Sequence, residues 1–322
     1  MTIEQDDARA GASGLPDVIE VVGQAPGPTV AVLGGVHGDE LEGVLAARRI
    51  GHILDAANLR GTVRIAAPAH PVAWDAASRT SPVDGLNLAR VFPGNAEGSP
   101  TEQVAAFLTS RVIAGADLLI DLHSAGQGFD MPLLVGFAAG EGPVCARSAE
   151  AAAVFGAPHV WEHPEASPGR SLAAAAAHGV PSIYVEGRGG GQVRRRDLDC
   201  YVGGVLRVLQ HLGMIDAAPQ GESDAAPSVT RSVVVRGDGD TDGGVEAVTA
   251  GFLVTAAEVG DHVTAGTVLG EVVDENGATV ALVRSPQEGV VMLLRRRSRI
   301  AAGDTLAIVA ERVPALRGAS DD

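Results

Sequence analysis

Apolar residues run with little interruption through residues 29–35 (TVAVLGG), 62–67 (TVRIAA), 117–122 (DLLIDL) and 182–185 (SIYV). Short runs of this kind, bounded by glycine or polar turns, predict strands buried on both faces. Residues 18–22 and 131–137 predict two more. Between these runs the apolar positions recur every three or four residues. That spacing predicts helices over residues 40–57, 101–114, 143–155, 171–178 and 197–212, the last two closed by Gly179 and Gly213. Strands alternating with helices imply an α/β sheet covered on both faces, with sites at the carboxyl ends of its strands.

The pattern changes after residue 216. Residues 217–228 (AAPQGESDAAPS) are small, polar and proline-bearing, which predicts a linker. Residues 229–313 then break into short Val-rich runs separated by turns, predicting a small all-β module. Residues 1–216 are read as the catalytic domain and residues 314–322 as a disordered tail.

Composition narrows the partners. A formal charge of -16 argues against nucleic acid or an anionic membrane, which such a field repels. All 24 basic residues are arginine. The acidic start, MTIEQDDARAGASG, lacks the basic-then-apolar form of a secretory signal, and no run reaches the roughly 20 apolar residues of a membrane span. A cytoplasmic protein is expected, with a homo-oligomer left open. Cys145 and Cys200 form no metal or redox motif and are expected as free buried thiols.

The chemistry gathers at strand ends. His37 and Glu40 stand three residues apart where the 29–35 run gives way to a helix, and His123 follows another buried run with Asp121 two residues before it. Either piece alone also fits a helix start or a core histidine. Together, two imidazoles and one carboxylate make a zinc ligand set with a fourth position open, as in catalytic sites. Asp121 is placed to hold the His123 ring. Such a site needs a general base, and Glu186 ends the 182–185 run where burial would raise its pKa. Arg79 and Arg90 flank the segment DGLNLA, and a planar guanidinium suits a carboxylate or a developing oxyanion.

The segments GGVHGDELEG, NLARVFPG, DLHSAG and VEGRGGG, in this order, resemble the succinylglutamate desuccinylase/aspartoacylase family, relatives of the zinc carboxypeptidases. The likeness implies a mixed, mostly parallel sheet and one zinc ion per chain on His37, Glu40 and His123. It implies Glu186-assisted attack of zinc-bound water on a small N-acyl amino acid of acetyl or succinyl type. Arg79 would then face the tetrahedral intermediate and Arg90 the substrate carboxylate. Asn87 and Arg170 are further candidates for the substrate pocket. Ala89 departs from the family's commonest form, which has Asn there, and this leaves the substrate's identity open. A carboxypeptidase acting on small peptides is the rival enzyme reading, and a silent metal-binding or interaction protein the rival of another class.

Other features carry less. The stretch 159–165, with His159, Glu162, His163 and Glu165, reads as a solvated loop or pocket wall. Asp238, Asp240 and Asp242 begin like a calcium loop, but Thr249 holds the terminal position that needs Glu, so a turn is expected. Arg194–Arg196 and Arg295–Arg297 are read as solvated faces. The 229–313 segment resembles the barrel-sandwich domains of biotin and lipoyl carriers, yet without any lysine it has nowhere to attach a cofactor. A wall or lid over the cleft is the expectation retained.

Overall fold

The computed structural model describes residues 14–219, 232–239 and 243–314. The acidic start up to residue 13, most of the predicted linker, residues 240–242 of the Asp238–Asp242 turn and all but the first residue of the predicted tail lie outside the described residues.

Strands β1 (Val18–Val22), β2 (Ala25–Gly34), β3 (Arg60–Ala66), β4 (Leu118–Leu122), β5 (Phe129–Asp130), β6 (Leu134–Ala138), β7 (His159–His163) and β8 (Ser182–Glu186) alternate with six helices. These are α1 (Leu41–Ile53), α2 (Pro71–Asp75), α3 (Pro100–Leu108), α4 (Pro143–Phe155), α5 (Ser171–Ala177) and α6 (Arg195–His211). The strands lie in the order β1-β3-β2-β4-β8-β6-β7, and the sheet continues into β9 (Val233–Arg236). β3, β2, β4 and β8 are mutually parallel, as are β6, β7 and β9. The two groups meet antiparallel at β6 and β8. The result is the mixed, mostly parallel sheet that the motifs imply.

Alternation along β2 shows how the two layers form. Val30 and Val32 point to a core shared with α1, α4 and α6, whereas Ala31 and Leu33 point to one shared with α3 and α5. Successive side chains of a strand leave opposite faces, so one buried run serves both cores. Helix α1 comes unusually close to the sheet. A Cβ on Gly43 would lie 2.1 Å from the carbonyl oxygen of Leu122, the residue just before His123. Glycine therefore lets the helix that begins after Glu40 sit directly on the end of β4.

Several boundaries move from their predicted positions. α1 stops at Ile53, and a short 3-10 turn, Ala56–Asn58, follows. Helix α3 gives way at Leu108 to a π turn, Thr109–Ile113. The 131–137 strand starts later, at Leu134, as β6, and the separate two-residue β5 precedes it. Residues 159–163 form β7 between β6 and β9 instead of a loop, while His163 and Glu165 line the cavity as the pocket-wall reading expects. The polar residues of HVWEH obscure this strand in the sequence because each finds a partner across the sheet or in a neighbouring turn. Glu162 receives Arg236 from β9 at 3.0 Å, and His163 reaches Gly237 and Tyr184. Cys145 is only partly buried, unlike Cys200, and both are free.

The C-terminal strands are β10 (Val245–Glu246), β11 (Gly251–Thr255), β12 (His262–Val263), β13 (Val268–Val273), β14 (Thr279–Arg284), β15 (Gly289–Arg295), β16 (Arg299–Ile300) and β17 (Thr305–Val313). β14-β13-β11-β16 form a separate antiparallel sheet, and Leu253, Leu269, Val272, Val291 and Leu306 fill the space between it and β15 and β17. The large sheet does not stop where the module begins. β17 pairs antiparallel with β9, and β15 pairs with β5, so module and catalytic sheet share one ladder. Two of the arginines expected on a solvated face join this seam: Arg296 meets Asp130 at 2.9 Å, and the Arg295 guanidinium lies 5.7 Å from the centre of the Phe129 ring.

Candidate metal centre and active-site pocket

The parallel neighbours β2, β4 and β8 end on the same edge of the sheet, and each delivers one part of the site. The turn after β2 carries His37 and leads to Glu40, the residue capping α1. His123 follows β4, and Glu186 closes β8. His37, Glu40 and His123 each offer a ligand atom within 4.8 Å of the others.

Their orientation fits a cation. Nδ1 of His37 lies 2.7 Å from Glu40 Oε1, and Nδ1 of His123 lies 3.0 Å from Glu40 Oε2. The far nitrogens are held from behind. His37 Nε2 donates to Asn87 Oδ1 at 3.0 Å, and His123 Nε2 to Asp121 Oδ2 at 3.0 Å. Both acceptors require the proton on Nε2, which leaves the Nδ1 lone pairs facing the centre, as metal-ligating imidazoles need. Ser171 donates its hydroxyl to the same Asp121 oxygen, and Tyr201 donates to the His123 carbonyl.

Glu40 is 1 % exposed and accepts from the Ser124 amide at 3.1 Å and from Arg79 Nη1 at 2.9 Å. Burial works to raise its pKa, but the two histidines outweigh burial and hold Glu40 well below the usual carboxylate range. Burial lowers the pKa of His37. Burial also opposes charge on His123, yet Asp121 and Glu40 outweigh it and keep its pKa well above the ordinary value. Glu186 differs. Burial first, then the Glu40 charge, push its carboxyl up to about 8, and its Oε2 has no hydrogen-bond partner. Two carboxylates paired to imidazoles beside a buried acid of raised pKa suit a divalent cation and a general base.

His37, His123 and Glu186 face a cavity of about 150 Å³ whose lining also includes Arg79, Ala89, Arg90 and Arg170. Of the residues expected to touch substrate, Asn87 has a different immediate task. Its Oδ1 serves His37 and also accepts the Ala89 amide at 2.9 Å, and Asn87 is absent from the cavity lining. Residues that the sequence reading passed over include Ser124, Ser171 and Tyr184. Tyr184 alone carried a signal, since it precedes Glu186 by two on the same strand and so shares its face. The C-terminal module contributes Leu293 of β15 to the cavity wall.

The chain resembles known proteins over most of its length. Residues 26–212 match the succinylglutamate desuccinylase/aspartoacylase catalytic domain. A curated relative, N-alpha-acetyl-L-2,4-diaminobutyric acid deacetylase of Halomonas elongata, is 32 % identical over 98 % of this chain and 91 % of its own length. A succinylglutamate desuccinylase/aspartoacylase structure from Rhodobacter sphaeroides is 30 % identical, with a TM-score of 0.79, covering 90 % of this chain and 87 % of the other. The product-bound ectoine utilization protein EutE (DoeB) of Ruegeria pomeroyi is 28 % identical, with a TM-score of 0.82, covering 91 % of this chain and 88 % of the other. The likeness therefore runs through the C-terminal module as well as the large sheet, and the chain belongs to the succinylglutamate desuccinylase/aspartoacylase family.

Proposed function

We propose that the chain is a zinc-dependent amidohydrolase that removes an acyl group of acetyl or succinyl type from a small N-acyl amino acid. The observation that carries this reading is the convergence of His37, Glu40 and His123 beside a buried, unpartnered Glu186 oxygen in one cavity. The relatives support it: the Halomonas protein is by name a deacetylase of an N-acetyl amino acid, and the family name covers a desuccinylase.

Zinc held by His37, Glu40 and His123 would polarise the acyl carbonyl and acidify a water. Glu186 would take a proton from the attacking water as the water oxygen adds to the acyl carbon. The same carboxyl then returns the proton to the amide nitrogen as the C–N bond breaks, giving a carboxylate and an amine. Arg79, anchored on Glu40, places positive charge beside the developing oxyanion. Arg90 grips the substrate carboxylate, and Arg170, on the same cavity's lining, faces the acyl or side-chain group. Asp121 and Asn87 fix the two imidazoles.

Leu293 of the module narrows the cavity, which favours a small acyl amino acid over a polypeptide. A Glu186 carboxyl on the same cavity as the His37–Glu40–His123 group favours catalysis over a catalytically silent protein. The deciding experiment is a turnover screen of N-acetyl, N-succinyl and N-formyl amino acids with zinc removed and restored. Zinc-dependent release of a free amine is the expected result. Inactivity across the panel with zinc bound would sink the reading.

A further inference from the structure

A second cavity, of about 320 Å³, lies at the seam between the catalytic sheet and the C-terminal module. Asp130 and Arg188 reach it from the catalytic part, and Glu258, Leu294, Arg295 and Arg296 from the module. The two cavities draw on the same segments. Phe129, Leu293 and Glu186 line the first, whereas Asp130, Leu294 and Arg188, one or two residues further along, line the second. Asp130 pairs with Leu294 across β5 and β15, so the two parts of the chain meet here through a ladder.

Most of the charge on this lining is already paired. Arg296 meets Asp130 at 2.9 Å, and Arg295 meets Asp304 at 2.7 Å. Two unlike charges are left over. Arg188 and Glu258, both exposed, make no ion pair within 4 Å among the described residues, with each other or with a neighbour. Asp197 accepts the Arg188 backbone amide and feels its guanidinium only from beyond that distance. The turn that carries Arg188 is itself packed in place. Gly190 has a φ of +75°, and a Cβ there would lie 2.5 Å from Nη1 of Arg296. Nε of Arg295 is buried without a hydrogen-bond partner, and a buried donor of this kind calls for an acceptor.

A guanidinium and a carboxylate on one cavity, too far apart to satisfy each other, fit a ligand that carries both opposite charges. Leu253, Ala257, Val259 and Leu294 supply the apolar part of the lining, which suits a short aliphatic body. We propose that this cavity binds a free aliphatic α-amino acid, its carboxylate on Arg188 and its ammonium on Glu258. An acylated amino acid has no ammonium and would leave Glu258 facing a neutral amide. One consequence, and it alone, rests on the deacylase reading: hydrolysis exposes the very group the cavity needs, so the cavity takes the class of the product and refuses that of the substrate.

The test titrates the zinc-loaded protein calorimetrically with L-alanine, L-valine and L-leucine. Isovalerate and isobutylamine, which are valine without its ammonium and without its carboxylate, serve as comparisons. Wild type should bind at least one of the amino acids, and L-valine about tenfold or more tightly than either comparison. Arg188→Gln and Glu258→Gln, both exposed and outside the active-site cavity, should each weaken amino-acid binding about tenfold to 100-fold, the worth of one charged hydrogen bond. Initial rates on an N-acyl amino acid should stay at the wild-type level in both variants. Binding of none of the three amino acids, or binding that both variants retain in full, would overturn the inference. So would an isovalerate or isobutylamine affinity equal to that of L-valine. A protein that binds the amino acids in this way yet hydrolyses no N-acyl amino acid would overturn the deacylase reading alone.

Discussion

Asp121 and His123, two residues apart at the end of one strand, meet through a 3.0 Å contact between Oδ2 and Nε2. Strand alternation puts them on one face, and the carboxylate sets the direction in which the imidazole lone pair points. Asp121→Asn should weaken zinc binding by about tenfold to 100-fold, the usual cost of losing such a partner. His123→Ala, which removes a ligand outright, should leave the ion poorly held. Competition against a chelator of known affinity reads both. Wild-type zinc affinity in His123→Ala would exclude it as a ligand.

Glu186 should govern turnover and leave the metal alone. Glu186→Gln should retain zinc and fold while kcat falls about 100-fold to 10,000-fold, the range for a lost proton-transfer group. A kcat near the wild-type value would put the base elsewhere.

The same carboxyl fixes a pH dependence. A base acts only when ionised, so wild-type kcat/KM should fall on the acid side. A bound cation draws the Glu186 pKa down, placing this limb between the ordinary 4.5 and about 8. In the metal-free protein the folded pKa is raised, so the folded state holds the proton more tightly than the unfolded chain. The stability from this group is complete below about 4.5 and gone above about 8. The Tm of metal-free wild type should therefore drop across that interval relative to Glu186→Gln. A constant difference in Tm between the two would count against the raised pKa.

Arg90 should read the substrate carboxylate. Arg90→Ala should raise KM by an amount equivalent to about 1.5–3 kcal/mol, the worth of a charged hydrogen bond. Wild type should prefer an N-acyl amino acid to its carboxamide, and the variant should lose most of that preference. Equal discrimination by both proteins would assign the carboxylate to another group, with Arg170 the first to examine.

Leu293 should limit substrate size. Wild type should process N-acyl amino acids far better than N-acyl peptides of several residues, and Leu293→Ala should narrow the gap. Comparable kcat/KM for the two classes in wild type would remove the module from the specificity argument.

Much of this site is legible in the sequence because its parts stand at the ends of buried strands. His37, His123 and Glu186 each follow an apolar run, and a polar residue at such a position must face either solvent or a site. What the sequence hides depends on distance. Asn87 reads as a pocket residue because it lies among the arginines, and only folding across 50 positions sets it against His37. Tyr184 passes for core inside SIYV, since nothing local reveals the glycine opposite or the histidine it meets. Strand β7 is obscured for a related reason, its polar side chains being paired by residues far along the chain. The joining of β9 to both β7 and β17 is likewise invisible to any local pattern.

That last pairing bears on attempts to trim the protein. The C-terminal segment looks like an appendage, a carrier domain stripped of its attachment point. Yet excising it would take β9 and β17 away and leave β7 as an unsatisfied border, a row of free amide and carbonyl groups ready to template another chain. Leu134, Trp161 and Val235 would lose Met292, Leu293 and Ile308 in the same cut. A shortened chain would then carry an open pairing edge, so the portion without catalytic groups also covers a border at which copies of the chain could otherwise join.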